Sequence, residues 1–153
     1  QGQRSTWYET GILAERGDMK FGVQHGEWNM YFEGGGPMAQ TSYLKGVEEG
    51  LRTHWYENGQ RKSEAVVKGG QQDGLRTFWY ESGQVKARAY FAAECWSDSV
   101  CDSLKQGPEE SFSEDGAWVS TICYQQNTPG KSWRAGQQDE QPSFSQAMCQ
   151  GAQ

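Results

Sequence analysis

Along most of this chain, polar and apolar residues alternate in runs too short for helices, and the runs end at glycines. Leu51-Arg52-Thr53-His54-Trp55-Tyr56 is rich in residues that suit a pleated strand, and Arg61 to Lys68 forms a second such run. Between them stands Glu57-Asn58-Gly59, a turn signal because Asn and Gly tolerate the positive φ of tight turns. The pattern predicts a β-hairpin, with Gly69-Gly70-Gln71-Gln72-Asp73-Gly74 turning the chain into its next element.

The next element is the same hairpin again. Trp7-Tyr8-Glu9-Thr10-Gly11 recurs as Tyr31-Phe32-Glu33-Gly34-Gly35, as Trp55-Tyr56-Glu57-Asn58-Gly59 and as Trp79-Tyr80-Glu81-Ser82-Gly83, each 24 residues after the last. Gly2, Gly26, Gly50 and Gly74 form a second column, and Gly22, Gly46 and Gly70 a third. Columns in register are the mark of a repeat protein. A fifth unit, Gly107 with Phe112-Ser113-Glu114-Asp115-Gly116, is displaced by 33 residues, the excess lying around Cys95 to Cys101. A degraded sixth begins at Gly136-Gln137-Gln138-Asp139-Glu140. The expected fold is all-β: an elongated antiparallel sheet of tandem hairpins, regular over 1–91, with degenerate, cysteine-bearing units over 92–153 in the same continuous array.

Register follows from which face comes out apolar, since a slip of one residue exchanges the faces. A three-residue loop with a glycine bulge is expected to set Trp55 opposite Arg61, Thr53 opposite Ser63 and Leu51 opposite Ala65. Met19, Tyr43, Val67, Phe91 and Tyr124 would then share a face with Gly17, Thr41, Ala65, Ala89 and Ile122. The ladder Trp7, Tyr31, Trp55, Trp79 and Phe112 is expected on that face. Tyr8, Phe32, Tyr56 and Tyr80 are expected on the other, more polar one.

The recurring G-x-x-x-G-x-x-x-x-W-Y-E-x-G pattern resembles the bacterial variant of the MORN repeat, over residues 2 to 91 and more weakly over 107 to 124. The resemblance implies a ribbon of hairpins serving as a binding scaffold, with no catalytic residues to carry over. It further implies an antitoxin-like immunity protein, neutralising an effector delivered by type VI secretion, phospholipases included.

Composition agrees with a thin sheet. Of 153 residues only 35% are hydrophobic, yet there are 20 glycines beside seven Trp, seven Tyr and six Phe, which is not a disorder composition. Lys and Arg number 14 against 20 Asp and Glu, a net charge of −6, which argues against nucleic acid as a partner. No apolar run reaches the roughly 18 residues a membrane-spanning helix requires, so membrane association is expected only through an anchor lost from before Gln1.

The four cysteines, Cys95, Cys101, Cys123 and Cys149, all fall where the repeat loosens. They allow three connectivities; Cys95–Cys101 and Cys123–Cys149 are the favoured pairs, one closing the insertion and one tying down the tail. Zinc and free thiols are the alternatives, but no C-x-x-C and no nearby histidine supports a metal. Disulfides would place the chain in the periplasm or otherwise outside the bacterial cell.

Catalytic chemistry is not evident. His25 is expected in an inter-repeat turn, and His54 at a strand position that is Phe78 in the next repeat. Gly130-Lys131-Ser132 lacks the first glycine of a phosphate-binding loop and reads as an ordinary loop. The chain is therefore expected to be no enzyme and to need no cofactor. The candidate partner-binding residues are Arg52, His54, Tyr56, Arg76, Phe78 and Tyr80. Glu48, Glu49 and Asp73, in equivalent turns, are expected to form an acidic edge that steers a basic partner. The favoured partner is a protein toxin; the alternative function is a cell-envelope module contacting lipid or glycan.

Overall fold

The computed structural model describes residues 1–97, 100–125, 128–134 and Cys149; for residues 94–97, 100–102, 128, 130, 131 and 133 it describes the backbone alone. Among the described residues, eleven strands form one open antiparallel sheet in strict chain order. They are β1 (Gly2–Trp7), β2 (Leu13–Lys20), β3 (Val23–Tyr31), β4 (Pro37–Leu44), β5 (Val47–Trp55), β6 (Arg61–Lys68), β7 (Gln71–Trp79), β8 (Val85–Ser97), β9 (Val100–Phe112), β10 (Trp118–Gln125) and β11 (Thr128–Arg134). The accessible surface is 9606 Å², against about 7,800 Å² for a compact monomer of this mass. Among the described residues the buried apolar set is short: Trp28, Ala39, Ala65, Val67, Ala89 and Cys123. The sheet is all-β and thin, as expected.

The repeated turn is the three-residue loop. Tyr56 N donates to Gln60 O at 2.8 Å and Gly59 N to Tyr56 O at 3.0 Å. The same pair of bonds recurs at Tyr8, Phe32, Tyr80 and Ser113. Gly59 closes the loop at φ 84°, a left-handed conformation that a side chain would strain. At the other edge the turns are shorter than the sequence suggests. Phe21-Gly22, Lys45-Gly46 and Gly69-Gly70 are two-residue turns with positive φ at both positions, the form that follows strand twist. His25, Glu48, Glu49 and Asp73, expected in these turns, are strand residues instead.

Register departs from expectation at one point in each unit. Trp55 does pair with Arg61, but the next pair is His54 with Ser63, so Lys62 is bulged out of the ladder. The strand residues opposite Ala65 and Val67 are accordingly Arg52 and Gly50. Thr53 pairs with Glu64 rather than Ser63, and Leu51 with Val66 rather than Ala65. The small buried column therefore shares its face with Arg52 and His54, and not with Thr53 and Leu51. Leu51 and Val66 are 50% and 41% exposed, and Trp7, expected in a core ladder, is 62% exposed. A bulge reverses the facing of a whole strand relative to its partner, and loop length alone does not reveal it.

The units are laced together at both edges. Tyr8 Oη donates to Tyr31 O at 2.7 Å, Tyr56 Oη to Trp79 O at 2.9 Å, and Tyr80 Oη to Phe112 O at 3.0 Å. The second aromatic column is thus a series of struts, each reaching from one hairpin to the next. At the opposite edge, Gly46 N donates to Gln24 O at 2.8 Å and Gly70 N to Glu48 O at 2.9 Å.

The cysteine-bearing insertion is no loop. It lengthens β8 and β9 to 13 residues each and sets the Cys95 backbone opposite Cys101. The expected Cys95–Cys101 bond rests on side chains outside the described residues. Ser103 of β9 reaches two strands across, donating from Oγ to Gln71 Oε1 at 3.0 Å and accepting from Gln72 N at 2.7 Å. Cys123 of β10 is bonded to Cys149 across a sequence separation of 26, a closure worth roughly 3 kcal/mol against the unfolded chain. Lys131 and its neighbours lie in strand β11 rather than a loop. The proposed sixth unit at 136–140 lies outside the described residues.

Candidate functional site

Reading the register across the sheet gives two neighbouring rows on one face. One runs Ala39, His54, Ser63, Phe78, Ala87; the other runs Thr41, Arg52, Ala65, Arg76, Ala89. In both rows the even strands carry small residues and β5 and β7 carry large ones. Ala39, Thr41, Ser63, Ala65 and Ala89 are all buried, although none is large. They lie low between taller neighbours. β5 and β7 flank β6, so their backbones stand roughly 10 Å apart. The result is a slot floored by Ser63 and Ala65, with Arg52 and His54 along one wall and Arg76 and Phe78 along the other.

At its open end the slot widens into a hollow of about 480 Å³, to which Met30, Phe32, Met38, Trp55 and Lys62 contribute. That volume is within the range of small-ligand or side-chain sites. Trp55, Phe32 and Lys62 also border a second, smaller hollow beside the Glu57-Asn58 turn. The position coincides with a missing strut. Phe32 occupies the column of Tyr8, Tyr56 and Tyr80, and it has no hydroxyl to donate to the next hairpin.

The slot is electropositive within an acidic protein. Arg52 is held by Glu48 at 2.8 Å, and this pair lies beside Tyr43, whose hydroxyl is raised above its usual pKa by burial and then by Glu48. Arg76 has its guanidinium 4.3 Å from the Phe78 ring centre, a cation–π geometry. Its Nε is shielded from solvent with no acceptor among the described residues. Burial, and then Arg52, lower its basicity. Lys62 rests with its ammonium 5.5 Å from the Tyr56 ring centre. His54 Nδ1 lies 3.4 Å from Ser63 Oγ. Burial holds its pKa below the ordinary 6.5, and Arg52, Arg76 and Lys62 push it lower still against the opposing pull of Glu48. The imidazole is therefore neutral at neutral pH and has a donor or acceptor to offer.

Of the residues singled out from sequence, Arg52, His54, Arg76 and Phe78 come together in this slot. Tyr56 and Tyr80 have their hydroxyls committed as struts. Glu48 is drawn back onto Arg52, and Glu49 accepts from Gly69 N at 2.8 Å, so two of the three acids are engaged within the sheet. Asp73 is half-buried near the start of β7. Lys62 was not foreseen, because its approach depends on the bulge. Met30 and Met38 belong to the preceding unit: Met30 pairs with Ala39, and Met38 is the bulged residue there, as Lys62 is one repeat later. Among the described residues no group of histidines, cysteines and carboxylates is arranged to hold a metal.

Residues 48–68 and 72–93 match the model of the MORN repeat variant family. The two segments correspond to the β5–β6 and β7–β8 hairpins, so the slot lies at the junction of the two matched repeats. No curated protein matches the chain. The match supports a repeat-based binding module, and the family matched is in general non-catalytic.

Proposed function

We propose that the chain is a non-catalytic immunity protein that neutralises a secreted bacterial effector, such as a type VI phospholipase, by covering its active site or substrate entrance. The observation that carries this reading is the slot, where arginine and aromatic side chains are paired on a ready-made wall. Arginine and aromatic residues are the favoured anchors of protein interfaces, and a rigid sheet spends little entropy in presenting them. The Cys123–Cys149 bond hints at an environment outside the cytoplasm, which supports action in the periplasm or beyond. The test is co-purification with the effector encoded beside it and assay of that effector. Stoichiometric loss of effector activity is expected. A fully active effector that binds no better than an unrelated protein would end this reading.

A second reading, contact with a lipid or glycan surface of the cell envelope, is favoured by one observation. Phe21 stands 91% exposed at a turn tip, beside the exposed Val23, Leu44 and Val47. The Lys20 ammonium lies 5.9 Å from its ring centre, and Lys45 borders the same hollow of about 290 Å³. Sedimentation with anionic vesicles that is lost on Phe21→Ser would favour this reading over the first.

A further inference from the structure

We propose that the slot over β6 takes a carboxylate of the partner protein, an Asp or Glu side chain next to an apolar residue, with Arg76 and Lys62 as its counter-charges. The proposal rests on the binding-module reading and specifies what that module grips.

Three observations carry it. The first is local charge. The whole chain has a net charge of −6, yet Arg52, Arg76 and Lys62 converge on one site, and among the described residues only Arg52 has a carboxylate partner there. The second is an incomplete donor. Arg76 borders the hollow with no carboxylate partner among the described residues, and its Nε has no acceptor among them either; a partly buried guanidinium left so is completed by a carboxylate that enters beside it. Guanidinium and carboxylate match as planar partners in a way that ammonium alone does not. The third is the chemistry of the open end. Phe32, Met30 and Met38 line it, and methionines adapt to the shape of an incoming apolar group. A carboxylate beside an apolar side chain uses both ends of the slot, and a small inorganic anion uses only one. This reverses the electrostatic picture drawn from sequence, in which an acidic edge met a basic partner.

His54 offers an internal reporter. The charged groups facing it are Arg52 on its own strand, Glu48 beside Arg52, Lys62 from β6 and Arg76 from β7, while β4 contributes the uncharged Ala39. A carboxylate entering this group favours the imidazolium and moves the titration of His54 upward. His25 lies in β3, in the hollow beside Phe21, and serves as the control.

The experiment titrates the two histidine ring signals by NMR with acetyl-Gly-Glu-Phe-Gly-amide, its Gln counterpart, or inorganic phosphate. The Glu peptide is expected to raise the His54 midpoint and leave His25 in place, and the Gln peptide to move neither. Lys62→Glu, at an exposed position that leaves folding intact, and Arg76→Gln are each expected to weaken peptide binding at least tenfold. Absence of any His54 response overturns the proposal. So does equal binding of the Gln peptide, an equal response to phosphate, or unchanged binding by both variants. Effector capture separates this from the broader reading: capture that survives the double variant removes the slot and keeps the module. A slot that binds the peptide in a protein that captures no effector does the reverse.

Discussion

Trp28 and Arg76 occupy the same position of the repeat, two periods apart, and they do opposite things to the sheet. Trp28 is 1% exposed because its ring lies flat on the strand opposite, where Gly17 offers no side chain. A Cβ at Gly17 would fall 2.2 Å from the indole. The indole N–H reaches Asp18 O at 3.0 Å, and Tyr43 meets the ring edge-on at 6.2 Å between centres. Arg76 instead stands between Ala65 and Ala89, its Nε without an acceptor among the described residues. One unit fills its slot from within, and the other leaves its slot open. A single repeat position can thus be filled core or the wall of an open slot, depending on whether the opposite strand supplies a glycine.

The sharpest way to break this comparison is to truncate both residues. Trp28→Ala is expected to lose about 3–5 kcal/mol, the usual cost of removing a buried large aromatic. Gly17→Ala is expected to lose about 1–3 kcal/mol by overpacking the same contact. Arg76→Ala should change stability by less than about 1 kcal/mol, because it removes an unsatisfied donor along with its packing. Urea unfolding of the three variants at neutral pH measures all of this. Equal losses for Trp28→Ala and Arg76→Ala would mean that both side chains are core, and the slot would lose its standing as a site.

A smaller effect separates the strutted joints from the open one. Tyr56→Phe deletes the hydroxyl that reaches Trp79 O and is expected to cost about 1 kcal/mol, the net value of a typical hydrogen bond. Phe32→Tyr supplies the missing hydroxyl at the joint beside the slot and is expected to gain a similar amount. The opposite signs are the useful result. If Phe32→Tyr destabilises, the hollow beside Trp55 is not simply a joint that lacks its strut.

Much of this was legible in the chain, for reasons that differ by feature. The hairpin, its three-residue loop and the period of 24 depend on a few local residues, such as Asn58 and Gly59, repeated in columns. The two-residue turns were harder, since Lys45 and Phe21 are not residues that advertise positive φ. The facing of Arg52 and His54 was not legible at all. It turns on the bulge at Lys62, and nothing in the identity of a lysine marks it as the extra residue. The insertion around the cysteines was visible as a break in period, but its alternating pattern simply continued two strands. The candidate residues could be chosen by type, and only the cross-strand rows assembled four of them into one site while drawing Glu48, Glu49, Tyr56 and Tyr80 into the scaffold.

The weakest expected effect tests the environment of His54 directly. Its pKa in the folded chain lies below the ordinary 6.5, through burial first and then the neighbouring cations. The unfolded chain therefore takes up a proton at a pH where the folded one does not. The stability this group confers is intact above about pH 6.5 and is lost as pH falls through the folded pKa. Other titrating groups add their own pH dependence, so the comparison must be with a variant that changes His54 alone. His54→Met is suitable, because Met30 fills the equivalent position one repeat earlier. Urea midpoints at pH 7.5 and 5.5 should fall further for the wild type than for His54→Met, by a margin small against the Trp28 effect. If the two proteins lose stability in parallel, His54 is as well solvated as a free histidine, and the cations around the slot act on solvent rather than on one another.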